Sequence, residues 1–337
     1  MKRKGRGGLL LWLGLLVAVV AAIVWSFSRL DWHLVRLQLA SASWISVTAM
    51  AGVWLVALCI RPLRLQFLLA ALGPEGRRNY WTVWSADIIA MAMNSVIPAR
   101  AGDIMLAFVL RERPGDPTAS VFSIVMVDRL FDLATVMVFF VVSLSWAPGL
   151  EVWASDLRGT VLVILLAIVA GGWMAVHLRR GLLIRLDRLL ERAPPERRVR
   201  WQKRARDLSA GLEVVDKPTV MLRTIFLSFA LWGTTAVAYW LGITAIWPAA
   251  SFAGAAFAAS VVALSFVVPL TPGGVGVFHA AAVLSLSLFG VPAEPALAFA
   301  IIFHAVQLGS VLALGLVALV RQGISFRTLA AVQNSRS

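Results

Sequence analysis

The sequence predicts an all-α polytopic membrane protein, with about six full spans plus two oppositely oriented re-entrant helical hairpins forming an inverted repeat. Three observations carry that prediction. Apolar residues make up 60% of the 337-residue chain, charged residues only 14%, and the mean hydropathy is +0.84. Apolar runs near the roughly 20 residues needed to cross a bilayer recur along the whole length. Two stretches, IPARAGD at 97–103 and PLTPGGVG at 269–276, then put helix-breaking residues in surroundings as apolar as hydrocarbon. Backbone leaves its helix at membrane depth only where protein or a watery cavity satisfies the freed N–H and C=O groups.

The first run, 9–27, follows Lys2, Arg3, Lys4 and Arg6. It is too long for a signal-peptide core and lacks a clear small-residue cleavage site, so it reads as an uncleaved first span. The second run, 44–60, returns the chain to a cytoplasmic loop carrying Arg61, Arg64, Arg77 and Arg78. The span at 120–146 must then begin inside, because it ends at an acidic external loop with Glu151, Asp156 and Arg158. Everything from Tyr80 to Pro117 therefore enters and leaves on one side. Its pieces, 81–96 and 101–111, are each short for a crossing and meet at Pro98, which predicts a cytoplasm-facing re-entrant hairpin over 81–113. A span at 161–176 completes the first half, 1–178, and leads into a basic cytoplasmic segment at 179–217.

The second half, 218–337, repeats the layout in the opposite orientation. Its outer spans are 220–247 and 296–320, the latter returning inward to Arg321 and Arg327. Between them, arms at 251–268 and 275–289 form an outward-facing hairpin over 251–290. The halves share no obvious identity, so the repeat rests on layout alone. The whole of 1–337 reads as one integral domain of a bacterial-type cytoplasmic membrane, with both termini cytoplasmic.

A net charge of +14 is explained by basic residues at membrane edges, a topology signal rather than a nucleic-acid surface. The densest patch, with Arg197, Arg198, Arg200, Lys203, Arg204 and Arg206, suits a helix resting near anionic headgroups, a nucleic-acid or partner site being the alternative. The single cysteine, Cys59, lies at the end of an apolar run, which leaves no disulfide framework, no metal cluster and no cofactor to expect. Among fourteen tryptophans, Trp25, Trp44, Trp81 and Trp146 fall where interfacial belts form.

Pro98 suits the first turn of a new helix, whose free N–H groups make a positive end, and Arg100 adds a fixed cation there. Arg100 and Asp103, three apart, either clamp the hairpin as an ion pair or line a polar pocket in which the guanidinium meets a phosphate. At the second break Gly273, Gly274 and Gly276 permit close backbone approach, and Thr271 can cap the arm that follows. Such a break either holds an anion or is simply a tight turn. His279 and His304 lie in apolar helices, as satisfied polar contacts or as a proton relay. Asp128, Arg129 and Asp132 form a third cluster, deep in the 120–146 span, able to cross-link helices while neutralising most of its own charge. Asp87, in the first hairpin arm, can pair with Arg129 or Arg100.

At these residues the chain resembles the flippase-like transmembrane region of lysylphosphatidylglycerol synthases, which also occurs as stand-alone membrane proteins. Pro98-Ala99-Arg100-Ala101-Gly102-Asp103 stands for the family's Pro-x-Arg-x-Gly-Glu, and Asp128-Arg129-Leu130-Phe131-Asp132 for Glu-Arg-x-x-Asp. Pro269-x-x-Pro272-Gly273-Gly274-x-Gly276 matches the later Pro/Gly motif. The resemblance runs over nearly the whole chain. It implies binding or translocation of an anionic lipid, such as an aminoacyl-phospholipid or a polyprenyl-phosphate-linked or hopanoid-type lipid, with Arg100 on the phosphate. Two departures stand out: the family pattern has glutamate where His279 stands and arginine where His304 stands. The synthases' soluble aminoacyl-transferase domain has no counterpart, since no polar segment of roughly 100 or more residues is present.

The expected function is lipid transport without enzymatic activity. Arg100, Arg129, Gly273 and Gly274 would bind the lipid phosphate, while Asp87, Asp103, Asp128, Asp132, His279 and His304 line and gate a polar cleft. The expected partners are the anionic lipid and a lipid-biosynthesis enzyme. Two alternatives stand beside it: a membrane enzyme acting on polyprenyl-phosphate-linked sugars, with Asp87, Asp103, Asp128 and His279 as acid–base groups, and a non-transporting lipid-binding scaffold.

Overall fold

The computed structural model of the chain describes residues 30–73, 77–96, 101–110, 118–148, 194–266 and 271–322, together with Ser28 and isolated positions between 159 and 188. Among the described residues every regular element is helical. The expected spans at 9–27 and 161–176, most of the acidic loop, and residues 97–100 and 267–270 at the two breaks lie outside the described residues or touch them only at isolated positions.

Asp31 starts helix α1 (Trp32–Ala40), its Oδ1 accepting from the N–H groups of His33 (2.8 Å) and Leu34 (3.3 Å). That satisfies two of the donors a helix start leaves unpaired. The sequence reading has no element here, because nine residues are too few to establish a period. Helix α2 (Trp44–Ala70) begins at Ser43, whose hydroxyl accepts from Ser46 N–H. It runs ten residues beyond the expected end of the second span. Arg61 and Arg64, expected in a cytoplasmic loop, are therefore helical, and Pro62 sits in the helix interior. The helix continues because Arg64 is neutralised inside the protein, which hydropathy alone does not register.

Helices α3 (Tyr80–Val96) and α4 (Ala101–Val109) are the arms at the first break, and α5 (Thr118–Leu144) follows. The basic helix α6 (Pro195–Glu213) packs along α5. Helix α7 (Pro218–Thr244) leads to the second pair of arms, α8 (Phe252–Ser265) and α9 (Val277–Ser287), and α10 (Ala293–Arg321) closes the described chain. Among the described residues three helices, α2, α7 and α10, are long and apolar enough to cross a membrane. Helix α5 has the same 27 residues as α2 and α7, but Asp128, Arg129 and Asp132 interrupt its apolar run. The arms α3, α4, α8 and α9 have 17, 9, 14 and 11 residues.

Among the described residues the two largest apolar cores hold most of the bundle. The larger one gathers Met50 and Trp54 of α2, Tyr239 and Ile243 of α7, Phe278 of α9 and Phe299 and Phe303 of α10. Tyr239 is its hub, with ring centroids 4.2 Å from Phe303 and 5.5 Å from Phe299. The smaller core joins Leu65, Leu68 and Leu69 of α2 to Val83, Leu106, Ile124 and Val125 of α3, α4 and α5. Helix α2 thus belongs to both, its first half in one and its last in the other. Trp44, Trp81 and Trp146, at helix ends, are 65%, 66% and 74% exposed, the placement expected of interfacial rings.

Candidate functional site

Among the described residues seven charged side chains converge from four helices: Arg61 and Arg64 of α2, Asp87 of α3, Asp103 of α4, and Asp128, Arg129 and Asp132 of α5. The α5 residues reach one cluster because neighbours three and four apart share a helical face. Arg64 is completely buried and fully engaged. Its Nε lies 2.8 Å from Asp128 Oδ1 and its Nη2 2.8 Å from Asp132 Oδ1, with a weaker contact from Nη2 to the Asp128 carbonyl at 3.4 Å. Its Nη1 donates to Ser228 Oγ on α7 (2.9 Å), and Ser228 donates onward to Thr224 O (2.7 Å). Trp232 Nε1 donates to Asp132 Oδ1 at 3.3 Å. A buried charge is tolerable when paired and hydrogen-bonded on every side, and Arg64 meets that condition while tying α2 to α5 and α7.

Arg129 differs. Its Nη1 donates to Asp132 Oδ2 (3.1 Å), but Nε is 3.4 Å from Asp103 Oδ1 and Nη2 is 3.9 Å from Asp87 Oδ1, without hydrogen-bond geometry. Arg61 Nη2 approaches the same Asp87 oxygen to 3.4 Å. The cluster therefore has a closed side at Arg64 and an open side around Asp87, where two guanidiniums face one carboxylate.

At the first break, Gly102 N–H donates to Asn94 Oδ1 (2.8 Å), so α3 caps the start of α4 with its own side chain. A Cβ on Gly102 would collide with the carbonyl of Ala90, so only glycine lets the two arms approach this closely. Asp103, next along α4, turns to Arg129. At the second break the chain turns through Pro272–Gly274 with φ of 61° at Gly273 and 72° at Gly274, a region that glycine enters freely. Thr271 does not cap the following helix as expected. Its hydroxyl donates to Val275 O (2.9 Å), and Gly276 occupies the N-cap of α9.

The two histidines hold this turn. His304 Nε2–H donates to Gly273 O (2.9 Å), and His279 Nδ1 accepts from Gly276 N–H at 3.3 Å. Their ring centroids are 5.1 Å apart, and the His304 ring stacks on Phe278 at 4.5 Å. The positions where the resemblance expects glutamate and arginine are thus spatial neighbours. The two breaks also meet: a Cβ on Gly273 would lie 3.3 Å from the Ser95 carbonyl at the end of α3.

The structure brings Asp87, Asp103, Asp128, Arg129 and Asp132 together. Asp87 pairs with Arg129 and, more closely, with Arg61. Gly273, Gly274, His279 and His304 form a separate neighbourhood. It is joined to the charged cluster by α3, whose Asp87 and Ser95 are eight residues or about 12 Å apart. Arg100 and Pro98 lie outside the described residues. Sequence reasoning missed Arg61, Arg64, Asn94 and Ser228 as parts of the site. The available signal was Arg61 and Arg64 directly continuing an apolar run, one helical turn apart. Among the described residues no three His, Cys, Asp or Glu side chains are grouped to hold a metal ion.

The model of the lysylphosphatidylglycerol synthase TM region matches residues 11–315, which span both breaks and the charged cluster. The chain belongs to that family. It is 30% identical over 326 residues to glycosyltransferase AglD of Haloferax volcanii, covering 87% of this chain and 51% of AglD. The chain therefore spans about half the length of that relative. It is also 24% identical over 230 residues to the UPF0104 membrane protein MJ1078 of Methanocaldococcus jannaschii, covering 67% of this chain and 92% of that protein. No solved structure matches the chain. Family membership and the long apolar helices together make it a multi-pass membrane protein.

Proposed function

We propose that this protein is a lipid transporter that moves an anionic, phosphate-bearing lipid across the cytoplasmic membrane, with both termini on the cytoplasmic side. The observation that carries the reading is Arg129. Its guanidinium is held by Asp132 on one edge and leaves Nε and Nη2 without hydrogen bonds among the described residues, in a cluster built from four helices of a membrane protein. A guanidinium edge of this kind matches two oxygens of a phosphate. The headgroup enters the polar cleft beside Asp87 and Asp103, Arg100 assists at the first break, and the tails stay in the bilayer. Only the headgroup then needs shelter from hydrocarbon.

The short arms α3 and α4, and α8 and α9, support re-entrant hairpins, since none has the roughly 20 residues a crossing needs. Hairpins dipping from opposite leaflets, one in each half of an inverted repeat, would meet where Ser95 and Gly273 now touch. Rocking of one half against the other then changes which leaflet reaches the cleft. In this reading Gly273 and Gly274 line the path, while His279 and His304 keep the second break in shape. A lipid-biosynthesis enzyme supplies the lipid, and the chain itself performs no bond chemistry.

Reconstitution into vesicles with a leaflet-specific lipid assay tests the reading. Arg129→Gln and Arg100→Ala are expected to reduce transfer at least tenfold at normal insertion, and unchanged transfer by both rejects the assignment. A second reading is favoured by the likeness to a protein named a glycosyltransferase: a membrane enzyme handling a polyprenyl-phosphate-linked sugar, with Asp87 or Asp103 in acid–base roles. Product formation by purified protein without leaflet change would select it.

A further inference from the structure

Five polar atoms on the open side of the cluster are buried and make no hydrogen bond among the described residues: Arg61 Nε, Arg129 Nε and Nη2, and both carboxylate oxygens of Asp87. Asp87 is 1% exposed. Its Oδ1 lies between the two guanidiniums, 3.4 Å from Arg61 Nη2 and 3.9 Å from Arg129 Nη2. Both separations exceed the 2.7–2.9 Å usual for a charge-assisted bond. Arg64, a few ångströms away in the same cluster, shows what a finished pair looks like here, with 2.8 Å contacts to two carboxylates. The side chain of Asp87 is thus ion-paired loosely with two cations but hydrogen-bonded to neither, an arrangement that a buried carboxylate sustains at considerable cost.

We propose that Arg61 and Arg129 form a two-guanidinium site for the phosphodiester oxyanion of a lipid headgroup, and that Asp87 is an internal competitor which the headgroup displaces. The inference rests on the transport reading above and adds a residue and a mechanism of occupancy to it. Three guanidiniums already face four carboxylates among the described residues, so a further anion is disfavoured unless one carboxylate gives way. Asp128 and Asp132 cannot yield without opening the closed side at Arg64. Asp87 can, because it has no hydrogen bond to lose. The incoming oxyanion takes Asp87's place between the guanidiniums, and with the site empty of lipid Asp87 prevents two bare guanidiniums from facing each other.

Equilibrium binding of radiolabelled dihexanoyl phosphatidylglycerol to the full chain in detergent tests this. Asp87→Asn is expected to bind about tenfold tighter than wild type and Arg61→Gln about tenfold weaker, the usual size of coupling between competing groups. Asp87→Glu keeps the competing charge and is expected to bind no tighter than wild type. Asp87→Asn at or below wild-type affinity with an unchanged melting temperature overturns the proposal, as does Asp87→Glu binding as tightly as Asp87→Asn. Should Asp87→Asn fail to fold, wild-type affinity in Arg61→Gln still overturns it. Displacement of the label by inorganic phosphate supports a site open to any such oxyanion; displacement by unlabelled lipid alone supports the lipid as its ligand. Loss of affinity in Arg129→Gln with indifference at 61 and 87 sinks this inference only, whereas no binding by wild type sinks the transport reading as well.

Discussion

Arg64 and Arg129 are the same residue type within one cluster, and their surroundings give them opposite roles. Every nitrogen of Arg64 has a partner, and its removal strands Asp128 and Asp132 in the interior. Arg64→Met is expected to destabilise the protein by about 3–5 kcal/mol, the usual effect of breaking a buried pair from one side. Thermal unfolding in detergent and loss of monodisperse protein would report it. His304 is likewise a holding residue: His304→Leu leaves the Gly273 carbonyl unpaired and is expected to cost about 1–3 kcal/mol in the same melt. The spacing of Asp128, Arg129 and Asp132 announced a shared face in the sequence. Arg64 showed only as a charge continuing an apolar run one turn after Arg61, a pattern that reads as the edge of the membrane, and its partner Asp128 is 64 residues away.

Among elements, the broken arms decide the architecture. Gly274 has a φ of 72°, and a Cβ there would collide with the Phe266 ring from the preceding arm. Gly274→Ala therefore has both backbone strain and a clash, and a lowered melting temperature is expected. Gly233→Ala in α7, where a Cβ meets nothing within 4 Å, is the control and should be neutral or slightly stabilising. Equal melting temperatures for the two variants would contradict this account. The arms themselves were legible, because proline and glycine clusters interrupt apolar runs at both breaks. Their bounds, 80–96 and 101–109, then 252–265 and 277–287, fall within a few residues of those expected. The cap on α4 was not legible: Asn94 lies on the other arm, and only the fold turns it toward Gly102.

Across the whole molecule, α3 links the charged cluster to the second break, with α10 packed along it. Ser95 and Leu308 approach Gly273 from two helices. In a Cys59→Ala background, Ser95→Cys with Leu308→Cys is expected to cross-link with a short bismaleimide, and the linked protein should lose lipid transfer that the unlinked protein retains. Efficient transfer after quantitative cross-linking would show that α3 and α10 need not move apart beside the second break. The sequence by itself determined what depends on local composition and period: a helical membrane protein, two interrupted helices, and carboxylates and an arginine sharing a face of α5. Tertiary structure alone decided which charges meet, because an ion pair is set by the distance between atoms on different helices. It buried Arg64, left Asp87 between two guanidiniums without a hydrogen bond, and brought the two glycine- and proline-marked breaks against each other.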